Sequence, residues 1–187
     1  MESKDSLRLR MKSLRRALRP DEVVGLGRRI EERLFASSLL DELAHVALYA
    51  SVRNEVPTEA IFNQLNRKKC RTYFPRVTSG TVEFLLVEDW SDMESGSWGI
   101  PEPKSGKAEP VGRMDAVVIP GLAFDVSGVR MGFGQGYYDR VLQGYTGRKV
   151  GLAYDFQVLD AIPRVVTDLV CDWIVTETRV IGGGAGR

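Results

Sequence analysis

The sequence predicts an α/β fold: a three-layer α/β/α domain with a mostly parallel central sheet. Helical and strand-like segments alternate along the chain, which is typical of parallel strands joined by helices. Some predicted strands are short, continuous apolar runs, such as residues 116–119, and these are typical of strands buried on both faces. The 187 residues are enough for one hydrophobic core, so we predict a single domain over residues 1–181.

Two basic helices are predicted at the N-terminus, within residues 4–36. Apolar residues recur every three or four positions over residues 4–19, namely Leu7, Met11, Leu14 and Leu18. The other faces of this helix are rich in Lys and Arg, which usually marks a solvated face but also suits an arm that binds nucleic acid. Pro20 suits the first turn of the second helix, which is predicted to end near Phe35.

The central third of the chain is predicted to hold three strands and one helix. A buried strand is expected at residues 45–50, and Pro57 is expected to open a helix. The apolar face of that helix consists of Ile61, Phe62 and Leu65. Further strands are predicted near residues 71–75 and 82–87. Residues 88–113 are polar and interrupted by Pro and Gly, so we expect a long loop, a kind of segment that is usually functional or disordered.

The C-terminal third continues the alternation. A strand is predicted at residues 115–119, a helix at 137–143, and strands near 149–153 and 172–176. The final segment, residues 182–187, is rich in Gly, so we expect it to be a flexible tail.

A glycine-rich loop within residues 130–139 carries most of the chemistry. Glycines at 132, 134 and 136 let the backbone adopt positive φ and approach a ligand closely. Backbone N–H groups that turn inward beside a helix N-terminus bind anions. Arg130 at one end can neutralise negative charge, and Asp139 at the other can hold a metal ion. Together these residue types indicate nucleotide phosphates with Mg²⁺.

A simpler interpretation of the same loop is a tight connection between a strand and a helix. The Gly-Lys-Ser/Thr ending of the Walker motif is absent from the chain. The dinucleotide-binding spacing also fails, because Tyr137 stands where the third glycine is required. Arg130, two tyrosines and Asp139 within ten residues nevertheless favour a binding site.

Charge and composition argue against several classes of protein. The net charge of +1 supplies no general field for nucleic acid, so we expect no nucleic-acid partner. No apolar run is long enough to span a bilayer, and the first residues lack the apolar core of a signal peptide. We therefore expect no membrane association and a cytoplasmic location. Cys70 and Cys171 form neither a disulfide framework nor a zinc pattern. A monomer is favoured, although the residues do not determine the oligomeric state.

Four further positions are candidates for function. Glu55 follows a strand end, where ligands of open α/β sheets gather, but it could also cap the helix at Pro57. Lys4 and Arg8 lie one helical turn apart and can reach one phosphate group together. Trp98 could cover the edge of the core or stack on a ring-shaped ligand. By contrast, the single histidine precedes a buried strand, and we expect it to be structural.

Several motifs in this sequence occur together in one known family. The longest are PGLAFD at residues 120–125 and GVRMGFGQGYYDR at residues 128–140. The others are Lys4 with Arg8, YASVRNEVPT at 49–58, FPR at 74–76, WGIPEP at 98–103, Asp168, and DWIVTE at 172–177. In this combination, which extends over nearly the whole chain, the sequence resembles the 5-formyltetrahydrofolate cyclo-ligases, also called methenyltetrahydrofolate synthetases.

The resemblance implies an enzyme that uses ATP and Mg²⁺ to convert 5-formyltetrahydrofolate into 5,10-methenyltetrahydrofolate, ADP and phosphate. ATP would phosphorylate the formyl oxygen, the side-arm nitrogen would then close the ring, and phosphate would leave. An amide oxygen is a poor leaving group and phosphorylation makes it a good one. The main task of such an enzyme is therefore positioning and charge stabilisation at the phosphoryl group.

The resemblance also implies roles for individual residues. Those expected to bind ATP are Lys4, Arg8, Arg130, Met131, Gly132, Phe133, Gly134, Gln135, Gly136, Tyr137 and Tyr138. Those expected to bind the folate are Ala50, Glu55, Trp98, Gln135, Gly136, Tyr137 and Tyr138. Asp139 and Asp168 would hold Mg²⁺, and Arg130 with Gln135 would position the phosphoryl group.

Three positions differ from the family pattern, and two other functions compete with this one. Gln135 stands where Gly or Lys is common, Phe133 where Tyr or Arg is common, and Thr167 where His is frequent. These differences concern the rate and the metal geometry more than the reaction. One competing function is a relative that binds ATP but acts on another substrate or on none, against which Glu55 and Tyr138 argue. The other is a nucleic-acid module that uses the basic helix, against which the small net charge argues.

Overall fold

The computed structural model describes residues 2–78, 80–96 and 99–183, which build helices around one large sheet. The helices are α1 (Lys4–Ala17), α2 (Pro20–Ala36), α3 (Glu59–Arg67) and α4 (Tyr137–Val141). The strands are β1 (His45–Ala47), β2 (Arg71–Thr78), β3 (Thr81–Val87), β4 (Met93–Ser95), β5 (Pro101–Pro103), β6 (Ala108–Glu109), β7 (Ala116–Ile119), β8 (Ala123–Asp125), β9 (Arg130–Met131), β10 (Arg148–Leu152), β11 (Val158–Leu159), β12 (Trp173–Val175) and β13 (Val180–Gly182).

The large sheet confirms the predicted fold class and locates a ligand-binding edge. Its strand order is β13-β12-β10-β7-β1-β2-β3-β6. The central strands from β12 to β2 are parallel. At one edge β13 pairs antiparallel with β12, and at the other β3 pairs antiparallel with both β2 and β6. The chain passes from β1 to β2 through α3 in one direction and from β7 to β10 through α4 in the other. The direction reverses between β1 and β7, and ligands of open α/β sheets bind at the carboxyl ends of such a pair.

The two faces of the sheet bury separate apolar cores. Successive side chains of a strand point to opposite faces. Val118 of β7 packs in the core shared with α2 and α3, whereas Val117 and Ile119 pack in the core on the side of α4. All of β7 is buried, as its continuous apolar run predicts for a strand that is covered on both faces.

A smaller three-stranded sheet, ordered β11-β8-β9, is a feature that the sequence does not predict. Its strands are two or three residues long, too short for a periodic signal. Leu7 and Met11 of α1 pack against Leu122, Val129 and Met131 in a third apolar cluster. This packing brings the first basic helix next to the glycine-rich loop.

Several predicted boundaries are wrong. Residues 88–113 do not form one long loop, because they contain the β4–β5 hairpin and the edge strand β6. Helix α3 begins at Glu59 rather than at Pro57, since the hydroxyl of Thr58 donates to the carbonyl of Tyr49 at 2.5 Å and holds the preceding loop. Helix α4 ends at Val141, before the predicted residue 143.

Residues 182 and 183, which were predicted to belong to a flexible tail, are ordered parts of the sheet edge. Gly182 is part of β13 and pairs with Trp173, and the N–H of Gly183 donates to the carbonyl of Asp172 at 2.7 Å. Residues 184–187 lie outside the described residues. Within the described ranges, no helix combines the length and apolar character that crossing a membrane requires.

Candidate active site

A cavity of about 420 Å³ opens where the strand order reverses. Its walls come from the loop after β1, from Pro120 after β7, from the glycine loop with α4, and from β2, β3 and the β4–β5 hairpin. A cavity of this size can enclose a ligand with several rings. The predicted edge of the sheet is therefore the place where a small molecule can bind.

The glycine loop, residues 132–136, joins β9 to α4 and forms one wall of the cavity. Gly134 has φ of 105° and Gly136 has φ of 66°, and residues other than Gly rarely adopt such values. Among the hydrogen bonds between described residues, none is donated by the backbone N–H groups of residues 132–136. Unpaired N–H groups in such a turn can bind an anion. The local geometry thus agrees with a phosphate-binding loop.

Arg130 holds this loop against the end of β7. Its side chain is 6% exposed, and its Nε donates to the carbonyl of Pro120 at 2.6 Å. The guanidinium lies 5.1 Å from the ring centroid of Tyr138, and Nη1 lies 3.7 Å from Oδ2 of Asp139. A buried cation requires such partners, because its loss of hydration is costly. Arg130 therefore brings a fixed positive charge to the cavity wall.

The two aspartates that were predicted to hold Mg²⁺ have different surroundings. Oδ1 of Asp139 accepts from the N–H of Leu169 at 3.1 Å, and its other oxygen faces Arg130. Both oxygens of Asp168 accept from Nζ of Lys4, at 2.8 and 2.5 Å. Asp139 lines the cavity and Asp168 is not among the lining residues. The described residues contain no cluster of three or more metal-binding side chains, but Mg²⁺ at a phosphate site uses only one or two carboxylates.

Arg8 of α1 contacts the glycine loop, whereas Lys4, one turn earlier, pairs with Asp168. Nε of Arg8 donates to the carbonyl of Gly132 at 3.4 Å, and its Nη1 pairs with Asp5 at 2.6 Å. The side chains of Lys4 and Arg8 are each 23% exposed, and neither lines the cavity. Lys4 and Arg8 therefore lie outside the cavity wall, whereas Lys12 of the same helix lines it.

Glu55 forms a buried ion pair that the sequence does not predict. Its Oε1 lies 3.6 Å from Nη1 of Arg15, and its Oε2 accepts from the N–H of Val52 at 3.1 Å. Burial raises the pKa of Glu55 and lowers the pKa of Arg15, so the loss of hydration outweighs their mutual attraction at this distance. Because this carboxylate contacts Arg15 and Val52 rather than the start of α3, the helix-capping interpretation is wrong.

The predicted buried face of α1 is wrong at Arg15, which is buried although it was predicted to lie on a solvated face. Leu7, Met11 and Arg15 are spaced by four residues and are buried on one face, whereas Leu14 is 44% exposed. The spacing places Arg15 on the buried face, but charged side chains are seldom buried, so its charge predicts that it is exposed to solvent. The guanidinium is satisfied by carbonyls far away in the chain, including that of Arg53 at 3.0 Å.

Residues 1–177 match the 5-formyltetrahydrofolate cyclo-ligase family. The chain belongs to this family. It is 31% identical over 174 residues to the 5-formyltetrahydrofolate cyclo-ligase of Escherichia coli (strain K12), which covers 89% of this chain and 96% of the relative. It is 29% identical over 196 residues to the probable 5-formyltetrahydrofolate cyclo-ligase of Caenorhabditis elegans, which covers 96% and 95% of the two chains.

Two solved structures of the family have the same fold. The NMR structure of Aquifex aeolicus 5,10-methenyltetrahydrofolate synthetase superimposes with a TM-score of 0.87 at 33% identity, covering 96% of this chain and 92% of the other. The structure of a 5,10-methenyltetrahydrofolate synthetase from Mycoplasma pneumoniae gives a TM-score of 0.78 at 28% identity, covering 94% and 99%. The resemblance and the fold class inferred from the sequence are confirmed.

The cavity gathers most of the residues that the cyclo-ligase resemblance assigns to the folate. These are Ala50, Glu55, Gln135, Gly136, Tyr137 and Tyr138. Trp98 lies outside the described residues. Of the remaining residues assigned to ATP, Arg130, Gly132 and Phe133 line the cavity, and Gly134 does not. Met131 is buried in the third apolar cluster, so its side chain is part of the core. The individual binding roles stay predictions.

Other lining residues carry no prediction from the sequence. They include Lys12, Tyr49, Arg53 and Glu102. Tyr49 and Arg53 lie within the YASVRNEVPT motif, and Glu102 lies within the WGIPEP motif. Their position inside these motifs was the sequence feature that could have identified them as lining residues. Phe133, which departs from the family pattern, stacks with cations instead: Nζ of Lys12 lies 5.5 Å from its ring centroid.

Proposed function

We propose that this protein closes the ring of 5-formyltetrahydrofolate to give 5,10-methenyltetrahydrofolate, at the expense of ATP. The observation that supports this most is the arrangement around the glycine loop. Arg8 of α1 contacts this loop at the carbonyl of Gly132, and the same loop lines a cavity whose wall includes Glu55 and Tyr138. A phosphate donor and a ring-shaped acceptor can therefore meet at a single stretch of backbone.

The reaction needs positioning more than a covalent nucleophile. The formyl oxygen attacks the terminal phosphorus of ATP, and ADP leaves. The side-arm nitrogen then attacks the activated formyl carbon, the ring closes, and phosphate departs. Negative charge on the transferred group spreads over its oxygens, so fixed cations and N–H donors stabilise the transition state. Arg130 and the N–H groups of residues 132–136 would supply these contacts.

The cations of α1 would bind the remaining phosphate oxygens. Lys4 would exchange one of its bonds to Asp168 for a phosphate oxygen, and Arg8 would exchange its exposed partner Asp5 in the same way. Gln135, which stands where Lys is common in the family, would donate a neutral hydrogen bond to the phosphoryl group. A hydrogen bond from a neutral donor is weaker than a charge-assisted one, so we expect slower phosphoryl transfer than with Lys.

The surroundings of Asp139 fit a magnesium ion. Its carboxylate is on the cavity wall, is 25% exposed, and lies beside the loop that would hold the phosphates. Mg²⁺ commonly takes one or two carboxylates and completes its shell with phosphate oxygens and water, and it neutralises phosphate charge. Asp139 would hold the ion, and Asp168 could join only after Lys4 releases it.

The proposal is tested by following the absorbance of the methenyl product formed from 5-formyltetrahydrofolate. We expect product only when ATP and Mg²⁺ are both present, with ADP and phosphate released in equal amounts. Turnover without ATP would refute the proposed mechanism. Binding of ATP without any turnover would instead identify a family relative that acts on another substrate or on none.

A further inference from the structure

Glu102 is a carboxylate of the cavity wall, separate from Glu55 and Asp139. It belongs to β5 of the β4–β5 hairpin, and it is 9% exposed. Its carboxylate makes no hydrogen bond or ion pair with any other described residue, whereas its backbone pairs with that of Glu94. The oxygens of Glu55, by contrast, already contact Arg15 and the N–H of Val52. Asp139, the third carboxylate of the wall, contacts Arg130 and Leu169, so Glu102 is the one of the three that has no polar contact to another described side chain or backbone N–H.

The hairpin is built to accommodate this side chain. A Cβ atom on Gly96, just beyond β4, would lie 2.5 Å from the carboxyl carbon of Glu102. No side chain larger than hydrogen fits there without moving the carboxylate. On β4, Glu94 is the direct partner of Glu102 in the hairpin, yet Glu94 is exposed. The burial of Glu102 therefore does not come from the hairpin alone but from the cavity wall against which it packs.

The Glu102 carboxylate lines an open cavity, so a ligand that displaces water from it must replace the hydrogen bonds that the water made. The other groups on this part of the wall are apolar, namely Pro75, Val77, Val82 and Ile100. Such a wall can pack against a flat ring, while Glu102 can accept hydrogen bonds only from the edge of that ring. The arrangement selects a planar ligand that carries N–H donors on one edge.

We propose that Glu102 binds the 2-amino group and the N3–H of the pterin ring of 5-formyltetrahydrofolate, and so determines the specificity of the cavity for this ring. This inference rests on the proposed function. The two donors are adjacent and nearly parallel, which matches the two oxygens of one carboxylate. The glutamate end of the substrate is anionic and would be repelled. Adenine presents one amino donor next to an acceptor nitrogen, which a carboxylate pairs less well.

The test compares Glu102→Gln with Glu94→Gln, the same chemical change on the exposed partner strand. We measure equilibrium binding of 5-formyltetrahydrofolate and of its analogue that lacks the 2-amino group. Glu102→Gln should weaken binding of the parent compound by about ten- to a hundredfold, the loss expected for charge-assisted hydrogen bonds. It should weaken binding of the analogue, which keeps only the N3–H donor, by a smaller factor, and it should leave the KM for ATP unchanged. Glu94→Gln should behave as the wild type in every measurement.

Several results would overturn the inference. Binding of the parent compound that is unchanged in Glu102→Gln would do so, as would equal losses for parent and analogue. A raised Mg²⁺ requirement would assign Glu102 to a cation instead. A lowered melting temperature would show that Glu102 has a partner within the protein, whereas removal of a charge without a partner should leave the melting temperature equal or higher. If the wild type neither binds nor converts 5-formyltetrahydrofolate, the proposed function itself is wrong. If it does both and Glu102→Gln is normal, only this inference fails.

Discussion

Replacing Arg130 by Ala tests whether one buried cation both holds the glycine loop and binds the nucleotide. Three contacts are lost together: the bond from Nε to Pro120 at 2.6 Å, the ion pair with Asp139 at 3.7 Å, and the stacking on Tyr138 at 5.1 Å. The side chain is 6% exposed, so water cannot fully replace these contacts. The exposed Arg140 offers a matched control, because it also donates to a loop carbonyl, at 2.9 Å, and lies over a tyrosine ring.

The expected cost follows from these contacts. A hydrogen bond from a charged donor contributes roughly 1.5–3 kcal/mol. The partly exposed ion pair adds about 0–1 kcal/mol, and the cation–π contact adds about 0.5–1 kcal/mol. Contacts that share one side chain are not additive, so we expect a total loss of about 3 kcal/mol. For a protein of this size that lowers the melting temperature by about 6–12 °C.

The measurement is thermal unfolding of both variants, followed by separate titrations of ATP and 5-formyltetrahydrofolate in the turnover assay. Arg140→Ala should cost less than about 1 kcal/mol, because exposed contacts are weak. Arg130→Ala should also raise the KM for ATP by about tenfold or more, and more than the KM for the folate. Equal falls in melting temperature for the two variants would refute the argument from burial. An unchanged ATP dependence would leave Arg130 a purely structural residue.

Three further outcomes are expected. Burial raises the pKa of Glu55 above its ordinary 4.5, so ionisation of this group lowers the free energy of unfolding as pH rises from 4.5 through the folded-state pKa. In urea unfolding at several pH values, the free energy of unfolding of Glu55→Gln should therefore increase relative to that of the wild type as pH rises. A relative decrease would contradict this. Asp139→Asn should lose most turnover and need more Mg²⁺, with little change in melting temperature; full turnover at saturating Mg²⁺ would exclude the metal role. Gly132→Ala should cost about 1–3 kcal/mol of unfolding free energy, because its Cβ would lie 2.9 Å from the guanidinium of Arg130. Gly25 is exposed on a helix, and a Cβ atom there would have nothing within 4 Å, so Gly25→Ala should instead raise the free energy of unfolding by about 0.5–1 kcal/mol. If denaturant unfolding showed both substitutions to be stabilising, or both destabilising, the comparison would be refuted.

The sequence by itself determined the features that depend on neighbouring residues. The apolar spacing of the first helix and Pro20 predicted α1 and α2 to within about two residues, because helix periodicity and proline act locally. The apolar run of β7 predicted a strand buried on both faces. The motif around residues 128–140 predicted the loop and the family, and it contains eight of the 21 residues that line the cavity, since these residues are close together in the sequence.

The tertiary structure alone decided the contacts between segments that are distant in the chain. Lys4 pairs with Asp168, which is 164 positions away in the sequence, and Arg15 pairs with Glu55, which belongs to another segment. No local sequence pattern could therefore predict either pair. Glu102 is a similar case, because its exposed partner Glu94 has the same chemistry and only the packing of the hairpin against the cavity buries one of them. Periodicity depends on the geometry of one element, whereas burial of a charge depends on what the fold places opposite it, and that is set by the order of strands in the sheet.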